Sequence, residues 1–228
     1  MNKRLNGLAD LDVSRETLET LNDLELLLKK WNKHINLVAI STLENIWSRH
    51  IIDSAQIFKL APQSSKTWVD LGSGGGFPGL VVAILAQELM PKLEIKLVES
   101  DQRKATFLRT AIRETGAPAQ VLANRIESLP SLSADVVSAR ALADLPTLLS
   151  FAQRHLRSDG TALFQKGANW QKELASVDKS WSFKLEHFKS KTEERAIILR
   201  MKEIIHDSAK SIETPEDNCN RQPKRWRG

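Results

Sequence analysis

The chain has 228 residues, 41% of them hydrophobic and 27% charged, with a formal net charge of +5. That is the composition of one globular domain, or one with an appendage, with enough apolar material for a sizeable core. A single cysteine, Cys219, excludes a disulfide framework and a cysteine-based zinc site; the opening MNKRLNGLADLDV has no apolar h-region and no apolar run reaches membrane-spanning length, so a cytoplasmic protein without membrane or metal is expected.

Residues 1–63 read as a helical cap. Leu18, Leu21, Leu24, Leu28 and Trp31 recur at spacings of three and four, one face of a helix. Ser14 suits its N-cap, with Glu16 near the positive helix end. Ser41 and Glu44 have capping-box spacing, and Leu43, Ile46, Trp47, His50 and Ile51 form the face of a second helix. Arg49 and His50, with Asp53 at helical spacing, are expected to brace this cap against the sheet built by the later residues. Pro62, Gln63, Ser64 and Ser65 mark a linker.

Over residues 66–206 the pattern changes. Apolar runs at 67–71, 94–99, 119–123, 135–139 and 161–165 alternate with helical stretches at 79–88, 103–115 and 145–157. Such alternation means βαβ units and a parallel sheet. A further helix is expected at 169–177 and further strands at 183–188 and 196–201. The connection between those last strands is too short for a parallel crossover, so they pair antiparallel. The expected fold is α/β: a Rossmann-like, seven-stranded, mostly parallel sheet with an antiparallel end, plus the helical cap. Residues 207–228 read as a tail whose last ten carry Arg221, Lys224, Arg225 and Arg227 and no acid. It is either a solvated appendage or an arm that contacts phosphates, with Trp226 available to stack.

The first strand ends in Asp70-Leu71-Gly72-Ser73-Gly74-Gly75-Gly76-Phe77-Pro78-Gly79, a bare-backbone turn into a helix. Glycines there permit positive φ and close approach of a ligand. A P-loop would need Lys-Ser/Thr where Phe77-Pro78 stands. The dinucleotide fingerprint starts correctly at Gly72 and Gly74 but meets Phe77 instead of its third glycine, which disfavours a nicotinamide cofactor. Glu99, closing the second strand, can accept both ribose hydroxyls of an adenosine. Asp101 competes for that role.

Those ten residues resemble the first motif of S-adenosylmethionine-dependent methyltransferases. More narrowly, they are similar to the D-x-G-S/T-G-x-G-F/L-P-G form of the RsmG (GidB) family, bacterial 16S rRNA guanine-N7 methyltransferases. Other segments resemble the same family: Trp31-Asn32-Lys33-His34-Ile35-Asn36-Leu37, Arg49-His50-Ile51-Ile52-Asp53-Ser54, Val137-Ser138-Ala139-Arg140-Ala141 (with one extra residue) and Gln165-Lys166-Gly167. The likeness spans roughly residues 15–201. It implies a class I methyltransferase fold, S-adenosyl-L-methionine as cofactor, and 16S rRNA in the small ribosomal subunit as partner of a monomeric enzyme. It places cofactor contacts on Gly72, Phe77, Ile126, Glu127 and Arg140, to which the reading of the turn adds Gly74 and Glu99. Phe77 has a core anchor as its alternative role.

Guanine N7 carries a free lone pair, so methyl transfer to it needs no general base, and no catalytic residue in that sense is expected. Arg140 and Lys166, at strand ends beside the transferred methyl, are candidates to orient the target nucleotide. A cysteine nucleophile for C5 methylation would have to be Cys219, poorly placed in the tail, and the D/N-P-P-Y/F/W motif of adenine amino methylation is absent. The basic clusters Lys29, Lys30, Lys33, His34 and Arg103, Lys104, Arg109, Arg113 read as solvated faces, and Trp31 as core. The alternatives are methylation of another RNA or a small molecule, a nicotinamide oxidoreductase, and a non-catalytic RNA-binding assembly factor.

Overall fold

The computed structural model describes residues 8–207. The expectations for Cys219, Trp226 and the basic tail lie outside the described residues. Helix α1 (Arg15–Asn32) starts at Ser14, whose Oγ accepts from the Thr17 amide at 3.2 Å. Its Leu21, Leu24 and Leu28 are fully buried, as the spacing predicts. Side chains of this kind each contribute about 1.5–3 kcal/mol on burial.

The next stretch departs from the sequence reading. The capping box expected at Ser41 and Glu44 does not form. A 3-10 turn runs over Ile40–Asn45, and Thr42, not Ser41, bonds back, its Oγ1 donating to the Ala39 carbonyl at 2.7 Å. A π turn, Trp47–Ile52, leads directly into α2 (Asp53–Phe58). Ile46, Trp47, His50 and Ile51 do bury together. They reach the core through these tighter and wider turns rather than one regular helix, a geometry that apolar spacing alone does not encode.

The remaining elements are β1 (Thr67–Leu71), α3 (Gly79–Leu89), β2 (Glu94–Val98), α4 (Gln102–Thr115), β3 (Ala119–Leu122), β4 (Ala134–Arg140), α5 (Leu145–His155), β5 (Leu156–Lys166), α6 (Trp170–Ala175), β6 (Trp181–Lys189) and β7 (Ile197–His206). They form one seven-stranded sheet in the order β3-β2-β1-β4-β5-β7-β6. The first five strands are parallel, and β7 runs antiparallel to both β5 and β6. This is the expected α/β, Rossmann-like architecture. Strand β5 begins five residues before the apolar run at 161–165, because Arg157, Ser158 and Asp159 hide a single early pairing of Leu156 with Ala134.

Alternation along each strand splits the core into two layers. Trp68, Ile95, Leu97, Val136 and Leu163 face the layer covered by α1 to α4, while Val69, Leu71, Val137, Phe164 and Leu199 face the layer covered by α5 and α6. The cap shares the first layer. Its Leu24, Ile51 and Phe58 belong to the same buried cluster as Trp68 and Phe107.

Candidate active site

The chain leaves β1 for β2 on one side and reaches β4 on the other, so the carboxyl ends of β1 and β4 flank a crevice where ligands bind in open α/β sheets. Asp70 sits beneath it, fully buried on the Trp68 side of β1. Ser138 Oγ donates to Asp70 Oδ1 at 2.7 Å and accepts from Trp68 Nε1 at 2.8 Å, while the Gly79 amide donates to Asp70 Oδ2 at 3.2 Å. The carboxylate therefore ties β1, β4 and the first residue of α3 together beneath the glycine turn. Burial pushes its pKa up to about 6, opposed by the bonds from Ser138, Ser73 and Gly79 and by the charge of Arg140. Gly79 has no room for a side chain: a Cβ would stand 2.7 Å from Asp70 Oδ2.

Above Asp70 the turn passes through Gly72 and Gly74 at φ +63° and +53°, a left-handed backbone that other residues adopt only under strain. Glu99, buried at the end of β2, holds the turn: its Oε2 accepts from the Gly74 amide at 2.9 Å and its Oε1 from the Asp101 amide at 2.7 Å. Gly72, Gly74, Phe77, Glu99, Ile126, Glu127 and Arg140 all line one cavity of about 520 Å³ over this turn. Asp101 does not line it. Its Oδ1 caps α4 by accepting from the Arg103 and Lys104 amides at 2.8 and 3.2 Å. The residues fit an adenosine-bearing cofactor. The turn offers bare backbone, Glu99 retains lone pairs beyond its two amide bonds, and Ile126 gives the cavity an apolar wall.

A second cavity, of about 940 Å³, adjoins the first and shares Leu37 and the stretch Arg140 to Ala143 with it. Arg140 stands in the partition. One guanidinium nitrogen, Nη1, donates to the Arg49 carbonyl and to Asp53 Oδ2, each at 3.3 Å, and Nη2 faces His50 Nδ1 at 3.0 Å. The guanidinium also lies over the Phe77 ring, 5.1 Å from its centroid. Burial lowers the Arg140 pKa, against the pull of the Asp53 and Asp70 carboxylates. Lys166 lines the second cavity only; its Nζ donates to the Ala143 carbonyl at 2.9 Å and pairs with Glu173 at 2.5 Å.

Two acids here do more than the sequence reading gave them, which was a place in the glycine motif for Asp70 and a share in bracing the cap for Asp53. Asp70 interrupts an apolar strand, which is itself a signal, because a buried carboxylate demands donors. Asp53 accepts from Arg140, from Gln165 Nε2 at 2.6 Å, and from the Ser190 and Thr192 hydroxyls at 3.2 and 3.0 Å. It joins the cap to the end of β5 and to the turn between β6 and β7. The basic clusters are partly paired: Lys29 with Glu25 at 2.7 Å, Arg113 with Glu114 at 3.0 Å and Arg103 with Asp101 at 3.4 Å. Trp31 packs edge-on against Phe107, 5.7 Å between centroids. Among the described residues, no group of three His, Cys, Asp or Glu is arranged to hold a metal, and no helix is long and apolar enough to cross a membrane.

The sequence profile described as rRNA small subunit methyltransferase G (GidB) matches residues 17–198. A Ruegeria pomeroyi protein named ribosomal RNA small subunit methyltransferase G is 55% identical over 191 residues, covering 84% of this chain and 93% of that protein. One of the same name from another Ruegeria species is 52% identical over 198 residues, 87% of this chain and 96% of that one. An O-methyltransferase from Bacillus cereus, solved in complex with SAH, superposes with a TM-score of 0.55 at 12% identity, covering 86% of this chain and 94% of its own. An SAM-dependent methyltransferase from Aquifex aeolicus gives 0.54 at 13% identity, covering 79% and 98%. At those identities the structural likeness is one of fold.

Proposed function

The chain belongs to the rRNA small subunit methyltransferase G family, S-adenosylmethionine-dependent methyltransferases of 16S rRNA, and we propose that the atom it methylates is N7 of one guanine. We read it as a cytoplasmic monomer acting on RNA already assembled into the small subunit. The observation that supports N7 is the state of the second cavity, taken as the acceptor site. Among the described residues, each carboxylate and imidazole lining it is already engaged. Asp53 accepts from five side chains, Asp144 caps α5, Glu173 pairs with Lys166, Glu193 pairs with Arg49, and both His50 nitrogens are bonded. A wall whose carboxylates and imidazole are all tied to neighbours suits an acceptor that has no proton to lose.

In this reading Gly72, Gly74, Phe77, Ile126 and Glu127 hold the cofactor, and Glu99 accepts from its ribose hydroxyls. When bound there, S-adenosylmethionine supplies an electrophilic methyl carbon on a sulfonium. Arg140, at the partition, and Lys166, across the acceptor cavity, orient the nucleotide. A donor to guanine O6 or to phosphate holds the base while leaving the N7 lone pair free. The rate then comes from alignment and exclusion of water rather than from proton transfer.

The test uses small subunits that lack the modification. Incubated with enzyme and cofactor, then treated with borohydride and aniline, their 16S rRNA should acquire one cofactor-dependent cut, because the cationic ring of N7-methylguanine is labile to this treatment. Methyl incorporation without a cut would move the acceptor to another atom.

A further inference from the structure

The cap meets Arg140 through the Arg49 carbonyl, Asp53 and His50, and the hydrogen bonds of His50 run in one direction. Thr42 Oγ1 donates its only hydrogen to the Ala39 carbonyl at 2.7 Å. It therefore accepts from His50 Nε2–H, 2.8 Å away. That leaves Nδ1 with its lone pair, 3.0 Å from Arg140 Nη2, a nitrogen that can only donate. The imidazole also stacks on Phe77, 5.0 Å between centroids at 26°, so His50 and Arg140 share one aromatic ring at the edge of the cofactor cavity.

We propose that His50 is a positioning residue for methyl transfer: as a neutral imidazole it accepts from Arg140 through Nδ1 and fixes the guanidinium at the partition between the cofactor and acceptor cavities. The inference rests on the reading of Arg140 as the group that orients the nucleotide. The π turn makes it possible, since it presents His50 to one terminal nitrogen of the guanidinium while Asp53, three residues on, takes the other. Burial first, and then the charges of Arg140 and Arg49, push the His50 pKa down to about 3, so the acceptor stays neutral throughout the physiological range. A protonated ring would turn an N–H toward the guanidinium and release it. Asp53 is a poorer handle for an experiment, because it also secures Gln165, Ser190 and Thr192.

Two variants of the full chain separate the acceptor from the ring. H50F keeps an aromatic ring against Phe77 and removes the acceptor; H50N removes the ring and returns an acceptor oxygen near Nδ1. H50F should lower single-turnover methylation of small-subunit rRNA about 10- to 100-fold at saturating cofactor and RNA, as expected for a misplaced orienting group. Its dissociation constant for S-adenosylhomocysteine and its melting temperature should stay close to those of the wild type. H50N should recover most of the rate, and in an R140A background H50F should cost nothing further. In the wild type, 15N-histidine NMR at pH 7 should show His50 as the Nε2–H tautomer, with an Nδ1 resonance that moves in R140A. Wild-type turnover by H50F, an equal loss in the R140A background, or the Nδ1–H tautomer would overturn the proposal. A wild-type enzyme that methylates no rRNA would instead defeat the proposed function, and the tautomer measurement would still judge the contact.

Discussion

Asp70 shows what a buried carboxylate costs and what it secures. Its folded pKa, about 6, lies above the ordinary aspartate value, so between roughly pH 4 and 6 the folded chain binds more protons than the unfolded one. Stability contributed at this site is therefore highest below that window, falls as pH rises through it, and stays low above it. D70N, neutral throughout, should remove this slope. The unfolding free energy of the wild type minus that of D70N, from urea titrations at pH 4.5 and 7, should decrease with pH; a difference that rises would mean that bonds from Ser138 and Gly79 outweigh burial. Glu99 poses a question of affinity instead. If it accepts from the ribose, E99A should weaken cofactor binding by about 1.5–3 kcal/mol in calorimetry. D101A should loosen α4 and leave that affinity alone, since Asp101 caps the helix outside the cavity. Residues at strand ends, such as Gly72, Glu99 and Arg140, were legible because chain order alone sends them to one edge of the sheet. Asp53 and His50 were legible as a brace between cap and sheet, but their partners across the sheet, like the Ser138 that bonds to Asp70, were not, because those bonds span 68 to 139 positions.

Among the elements, α1 is held by more than its apolar face. Its first turn is pinned to the end of α3: the Ser14 amide and hydroxyl and the Thr17 hydroxyl donate to Glu88 at 3.0, 2.9 and 2.6 Å. The carboxylate also faces the positive end of the α1 dipole. The Thr17 bond is the largest cause of a lowered Glu88 pKa, so this contribution is complete above the ordinary glutamate range and fades as pH falls through it. The site is mostly exposed, which limits its worth to about 1 kcal/mol. E88A should then lower the melting temperature by about 2–4 °C at pH 7 and by less at pH 4, measured by scanning calorimetry. No sequence pattern announces a cap supplied from 71 to 74 positions downstream. The sheet was easier to read: β1, β2 and β4 are short apolar runs bounded by turn residues, and the short link before β7 decided its direction. The region from Ile40 to Ile52 resisted reading because consecutive 3-10 and π turns keep the burial of a helix while abandoning its period.

At the scale of the whole molecule, three parts that are distant in sequence close around the second cavity: the π turn of the cap, the end of β5, and the turn between β6 and β7. Asp53 links all three, so if RNA is met at this cavity, the cap helps build that place as well as the core. On the proposed function, methyl transfer depends on geometry, whereas holding the RNA depends on charge. Four of the chain's five net positive charges fall in its last ten residues, outside the described region. Each phosphate that a Lys or Arg neutralises contributes about 0.7–0.9 to the slope of log affinity against log salt. If Arg221, Lys224, Arg225 and Arg227 contact phosphates, deleting residues 219–228 should flatten that slope by about that amount per contact and weaken binding most at low salt. The proposed cofactor contacts all fall between Gly72 and Arg140, so the dissociation constant for S-adenosylhomocysteine should not move. Identical salt slopes for the full and shortened chains would assign RNA binding to the body of the protein. The exposed lysines and arginines at the end of α1 and along α4 would then be the next to reverse in charge.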